Sequence, residues 1–320
     1  MTTTGQHLSC YTASLVGYLQ RHQPAAADRL AAAVRLGVRT DLPGGARSFS
    51  HHPRIDRHDD WQLGYLAAAR PGDAADGVRA ELAASGAVIV VANTHRLPWS
   101  PSYQRSATPH WLLVTEASGA RYRVEDPFDA LLPHGTQVPY SGWVDEADLV
   151  DLMRLPTTLA AHLARRDRLA LGTAVEVPAG PWRWLRREAA DSPQPLDGSP
   201  DAGEWCLDTA SALRWLAADA ASDTGGFAGG AALDDCVEDL WAAARHHVLR
   251  ADWLRRRALV PAGQAETVAA MWADLPRALR FAADSAGRGR PRPGMVRTSL
   301  DRLADAVDTL DSSALRRNHV

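Results

Sequence analysis

"HWLLVTEASGARYRVEDPF", residues 110–128, decides the fold. A run rich in aromatic and apolar residues, "HWLLVTE", reaches the small residues Ala117–Gly119, and a second run, "RYRVED", leaves them. That pattern reads as two strands around a turn. With the turn centred on Ser118, His110 and Asp126 stand opposite each other. Directly opposed side chains have Cβ atoms about 4.5–5.5 Å apart on one face, which suits a carboxylate accepting a hydrogen bond from an imidazole. A slip of one residue would send the two to opposite faces.

Upstream, "GQHLSCYTASLVGYLQ" (Gly5–Gln20) sets a cysteine before an apolar helical stripe made by Tyr11, Leu15, Tyr18 and Leu19. Pro24 interrupts the run, and "AAADRLAAAVRLG" continues it to Gly37. A cysteine at a helix start meets the positive end of the macrodipole and unbonded N–H groups, both of which favour thiolate. A nucleophilic cysteine also needs a histidine and a group to orient it. Of twelve histidines, His110 has an orienter built into its hairpin. Gln6 could add its amide to the Cys10 N–H as an oxyanion donor. The plain alternatives are a cysteine serving as a small core residue and an Asp126 that opens the turn "DPFD".

The chain has 320 residues, 46% hydrophobic and 23% charged, with a net charge of -3. That size suits two domains or one large one, and the charge does not favour nucleic acid. Every basic side chain besides histidine is arginine, so a Schiff-base lysine and a P-loop lysine are both excluded. No run approaches the roughly 18 apolar residues of a membrane span. No basic–apolar leader opens the sequence. Three widely spaced cysteines, Cys10, Cys206 and Cys236, make neither a disulfide framework nor a zinc pattern. A cytoplasmic protein with reduced thiols is expected.

Residues 38–60 read as loop, 74–84 as helix, "AVIVVAN" (87–93) as a buried strand and 94–110 as loop or extended chain. "DEADLVDLMRL" reads as helix and "TAVEV" (173–177) as a last strand. A Pro-, Asp- and Ser-rich stretch covers 190–204, and everything beyond it is helical. The expected fold class is therefore α+β, with a mixed domain over residues 1–155 and a mainly helical one over 156–320. "SHHPRIDRHDD" (50–60) reads as a solvated loop rather than a metal site. His246 and His247, adjacent on a helix, face different ways. Cys206 and Cys236 fall in apolar helical stretches as core residues. Trp215, Trp241, Trp253 and Trp272 read as helix packing.

The order of a cysteine on a helix, then histidine and aspartate on a hairpin, resembles papain-like cysteine peptidases. In detail it is similar to the butirosin biosynthesis protein H family. The stretches that carry the likeness are "HLSCYTASLVGYLQRH", "VIVVANTHRLPWSPSYQ", "HWLLVTEASGARYRVEDPF" and, in the helical half, "GGFAGGAALDDCVEDLWAAARHHVLRADWL". The resemblance implies a papain-like catalytic domain that takes an acyl group from an acyl or peptidyl carrier protein. The substrate would ride on that carrier's phosphopantetheine, with no cofactor or metal of the chain's own. The acyl group would pass to an amine of a small-molecule acceptor or to an internal nucleophile, in natural-product biosynthesis. Cys10 would be the nucleophile, His110 the base and Asp126 its orienter. Gln6 would be the oxyanion donor, though it stands closer to Cys10 than the peptidase spacing. Trp99, Tyr103 and Trp111 would bind substrate, while Arg96 and Arg105 would meet the carrier's acids. A thioesterase or a peptidase of the same fold, and a binding scaffold without catalysis, are the alternatives. No nucleic acid or membrane partner is expected.

Overall fold

The computed structural model describes residues 7–57, 60–190, 198–222 and 230–318. In chain order, α1 (Cys10–Gln20) and α2 (Ala26–Ala33) precede β1 (Gly37–Arg39) and β2 (Phe49–Ser50). Then come β3 (Trp61–Ala68), α3 (Pro71–Ser85), β4 (Val88–Asn93), β5 (Pro109–Ser118) and β6 (Arg121–Asp126). The short β7 (Ala130–Leu132) and β8 (Gly135–Gln137) pair only with each other. They lead to β9 (Tyr140–Asp145), α4 (Glu146–Leu152), α5 (Ala161–Leu169) and β10 (Trp182–Ala189). Last are β11 (Trp205–Cys206), α6 (Thr209–Ala220), α7 (Gly230–Arg256), α8 (Ala262–Gly287) and α9 (Pro293–Asn318). No described helix is long and apolar enough to cross a membrane.

The fold is mixed α and β with antiparallel sheets and a helical C-terminal region, but its division differs from the expected one. One compact unit is Met1–Ala27 with Arg54–Gln194, and the other is Asp28–Pro53 with Pro195–Val320. The boundary moves from 155 to 194 because β10 enters the first unit's sheet, in the order β3-β10-β4-β5-β6-β9. All eight residues of β10 pair with β3, while Arg183 and Trp184 also pair with Val91 and Val90. The strand expected at 173–177 is absent; Val175 donates instead to the Arg168 carbonyl at 2.9 Å. Residues 28–53 leave the first unit because β1 pairs with both β11 and β2. Leu36, Val38 and Phe49 join the core formed by α6–α9. The second unit is thus helical with a small three-stranded sheet. Within it Cys236 and Trp272 are buried, whereas Cys206 lies half-buried on β11 rather than on a helix.

The loop at 50–60 is not solvated as expected. The buried ion pair of Arg54 and Asp56 is hydrogen-bonded, which offsets the cost of its burial. Asp56 is fully buried and accepts from Arg54 Nε at 2.9 Å and from the Leu63 N–H at 2.8 Å. His58 and Asp59 lie outside the described residues.

Each face of the six-stranded sheet carries a helix. Leu112 and Val114 of β5, with Val90 and Trp184, pack with Ala74, Val78 and Leu82 of α3. The alternate residues meet α1: the Trp111 ring lies 4.9 Å from that of Tyr11. Gly17 lets the helix come close, since a β-carbon there would stand 2.8 Å from Leu113 Cδ1. Alternation along β5 thus fixes which residues meet which helix.

Candidate active site

Three elements bring the candidate residues together. Ser9 caps α1, its side chain accepting the Thr12 N–H at 3.3 Å. Cys10 is the first helical residue, half-buried and with a free thiol. His110 sits near the start of β5, paired with Ala92 of β4, and Asp126 ends β6.

The hairpin register differs from the expected one. Ser118 pairs with Arg121 around Gly119, which has φ 61°. A bulge between Val114 and Glu116 then shifts the ladder, giving Leu113↔Glu125 and Val114↔Val124. Continued to the site, this register sets Asp126 opposite Leu112, diagonal to His110 by two residues. A shift of two preserves the face where a shift of one would not. The contact survives: His110 Nε2 and Asp126 Oδ2 are 2.9 Å apart.

Asp126 is fully buried and saturated. Its Oδ2 also accepts from Trp99 Nε1 at 2.9 Å and Gln137 Nε2 at 3.1 Å, and its Oδ1 accepts the Phe128 N–H at 3.1 Å. The Phe128 ring meets the imidazole edge-on at 5.6 Å. Burial alone would lower the pKa of His110. The Asp126 carboxylate and Cys10, by charge and hydrogen bond, outweigh that and raise it to about 10. With Nε2 committed to Asp126, Nδ1 is the nitrogen left for sulfur. The imidazole is therefore cationic at pH 7.

A second buried network adjoins Cys10. The Tyr11 hydroxyl donates to Asp167 Oδ1, the Tyr65 hydroxyl donates to the Asp167 carbonyl at 3.2 Å, and Arg183 Nη1 lies 3.3 Å from Asp167 Oδ2. Burial raises the Asp167 carboxyl to about 6 against the opposing pull of Tyr11 and Arg183. Burial also raises Tyr11 and Tyr65, and both feel the charge of Asp167 and Cys10. Asp167 sits among arginines in "RRDR", a context that reads as exposed helix and hides its burial.

The remaining candidates fall differently. Gln6 lies outside the described residues. Trp111 is fully buried between Tyr11 and Tyr65, with ring centroids 4.9 and 6.1 Å away, so packing rather than substrate surrounds it. Trp99 holds Asp126 and stacks on Tyr140 at 4.0 Å, which makes it a support of the carboxylate. Tyr103 is exposed. Arg96 is paired with Asp151, which leaves Arg105 as the more available of the two proposed carrier contacts. Gln137, missed from sequence, comes from β8, whose three residues carry too little pattern to read. Among the described residues no group of three or more His, Cys, Asp or Glu could hold a metal ion. No protein-family model matches the chain, and no curated protein matches it.

Proposed function

We propose that the chain is a cysteine-dependent acyltransferase or cyclase that takes an acyl group from a carrier-protein thioester and passes it to an amine or an internal nucleophile. The observation that carries the acyl chemistry is the imidazole held at 2.9 Å by a buried, saturated carboxylate while Cys10 engages the same ring. The carrier thioester and the papain-like assignment of the first unit rest on the resemblance of the quoted stretches.

In the first step the Cys10 thiolate attacks the thioester carbonyl. A C–S bond to Cys10 forms, the C–S bond to the carrier breaks, and the departing sulfur takes the proton of His110. In the second step the amine attacks the acyl-enzyme. The C–N bond forms, the C–S bond to Cys10 breaks, and the amine proton passes to His110, restoring the ion pair. The Cys10 N–H at the start of α1 faces the oxyanion that forms in both steps.

Incubation of the full chain with an acylated carrier protein, followed by intact-protein mass measurement, tests the proposal. The acyl mass should appear on the wild-type chain and be absent from Cys10→Ala, and an added amine should remove it as amide. Release of free acid alone would make the protein a thioesterase; no acyl mass on Cys10 would end the acyltransferase reading.

A further inference from the structure

Arg183 of β10 pairs with Val91, next to Ala92, the partner of His110. Successive strand residues alternate, so Arg183 stands near the His110 end of the sheet but on the other face, the one that α1 covers. Between β10, α5 and the segments around 156–159 and 174–177 lies a cavity of about 690 Å³. Small-molecule sites span about 300–1,000 Å³. Asp167 and Arg183 belong to its wall. Asp167 binds the Tyr11 hydroxyl, and Tyr11 follows Cys10, so a single tyrosine links the nucleophile to the cavity wall.

The lining charges discriminate between ligands. Both Asp167 carboxylate oxygens are occupied, by Tyr11 and by Arg183, and the residue is 1% exposed. It has no edge left for a ligand cation. Arg183 donates Nη1 to Asp167 and Nε to the Gly180 carbonyl at 3.3 Å. Its Nη2 has no partner among the described residues. Arg168, on the exposed side of α5, has no side-chain partner there either. Thr157 and Thr158 add hydroxyls at the mouth. Glu176 is the one lining acid without a partner among the described residues, and it is exposed. The open donors therefore outnumber the open acceptors, and a guanidinium edge matches a carboxylate in two parallel hydrogen bonds.

We infer that this cavity is the acceptor site and that it selects an amine bearing a carboxylate, held by Arg183 and Arg168. The assignment of the ligand as acyl acceptor rests on the proposed acyl transfer; the carboxylate selectivity of the cavity does not. The resting protein is titrated with β-alanine and with β-alaninamide, and binding is read by saturation-transfer NMR. β-Alanine should bind about tenfold more tightly than its amide, the worth of one charge-assisted interaction. Arg168→Gln and Arg183→Met should each abolish that preference. Arg183→Met also strips Asp167 of its ion-pair partner, so if it fails to fold, the exposed Arg168→Gln decides. Equal binding of the two probes, binding of neither, or a preference intact in Arg168→Gln would overturn the inference. A second reading takes wild-type protein acetylated at Cys10 by a small thioester: β-alanine should clear the acetyl group faster than β-alaninamide does, and equal rates would refute the acceptor role. Selective binding with no acylation of Cys10 by any thioester would remove the acyltransferase and leave the carboxylate site standing.

Discussion

At the scale of single residues, the site depends on how one carboxylate is held. Asp126 is buried with four hydrogen-bonding partners, and its charge, together with Cys10, raises His110 to about 10 despite burial. Asp126→Asn removes the charge and keeps the shape. We expect acyl transfer at neutral pH to fall about 10²–10⁴-fold, the range seen when the orienting group of such a triad is lost. The alkaline limb of the rate profile, set near 10 by His110 in the native protein, should move down in the variant; stopped-flow acylation across pH 6–10.5 reads both. The same shift has a stability sign. A histidine whose pKa rises from 6.5 to about 10 on folding adds stability that is complete below 6.5 and lost as pH climbs through 10. Trp99 tests position against binding. Trp99→Phe removes one donor from Asp126 and keeps the stack on Tyr140, so kcat should drop several-fold, on the scale of one hydrogen bond, with KM unchanged. A rise in KM alone would return Trp99 to the substrate wall.

Among the elements, the contact of α3 with the sheet is closely packed at one glycine. Gly77 sits over Trp184 of β10, and a β-carbon there would fall within the buried indole. Alanine at a helical glycine normally gains roughly 1 kcal/mol of helix propensity. Here overpacking against a ring with no room to move should dominate, and Gly77→Ala is expected to destabilise the first unit by about 1–3 kcal/mol in urea unfolding. An unchanged or raised midpoint would show that α3 stands off β10. Sequence pattern found the elements whose signal is local. β4 is a continuous apolar run, α1 has a helical stripe, and the β5–β6 hairpin brackets a small-residue turn. It missed β10, where "WRWLRREA" alternates with arginines and owes its place to pairing on both sides. It also missed β1 and β11, whose partners lie more than 150 residues apart in the chain. The hairpin shows how far such reading reaches: the face of His110 and Asp126 was legible, but the displaced turn and the one-residue bulge that together move their register by two were not. Asp167 escaped for the same reason as β10, because burial by distant chain, and not its neighbours in sequence, gives it its character.

Over the whole molecule, the two units carry histidines of opposite temper. In the unit built from Asp28–Pro53 and Pro195–Val320, His52, His246 and His247 are buried, with His51 beside them. The His51 and His246 rings lie 5.4 Å apart, and His247 stacks on Trp272 at 4.1 Å. Burial pushes His52 down to about 4 and holds His246 and His247 well below 6.5, with neighbouring histidines and arginines adding to the effect. Asp239, 3.9 Å from His51, is the acid that faces the group. A histidine kept neutral by the fold contributes stability that is present above 6.5 and lost as pH falls through its folded value. Acid should therefore loosen this unit between about pH 6.5 and 4, whereas the His110 linkage of the other unit is at full strength there and fails only toward pH 10. Asp167 reinforces that contrast: a carboxyl raised from 3.8 to about 6 stabilises the first unit below 3.8 and loses that contribution as pH rises through 6. Hydrogen exchange read peptide by peptide by mass spectrometry resolves the two units in one sample. Amides of α7 and α8 should lose protection by pH 4.5 while those of β4 and β5 keep theirs, and at pH 10 the order should reverse. His247→Phe retains an aromatic ring against Trp272 and removes one of the titrating groups, so it should shift the acid loss in α7 and α8 to lower pH. If α7 and β5 exchange in parallel across the whole range, the buried histidines do not govern the stability of their unit.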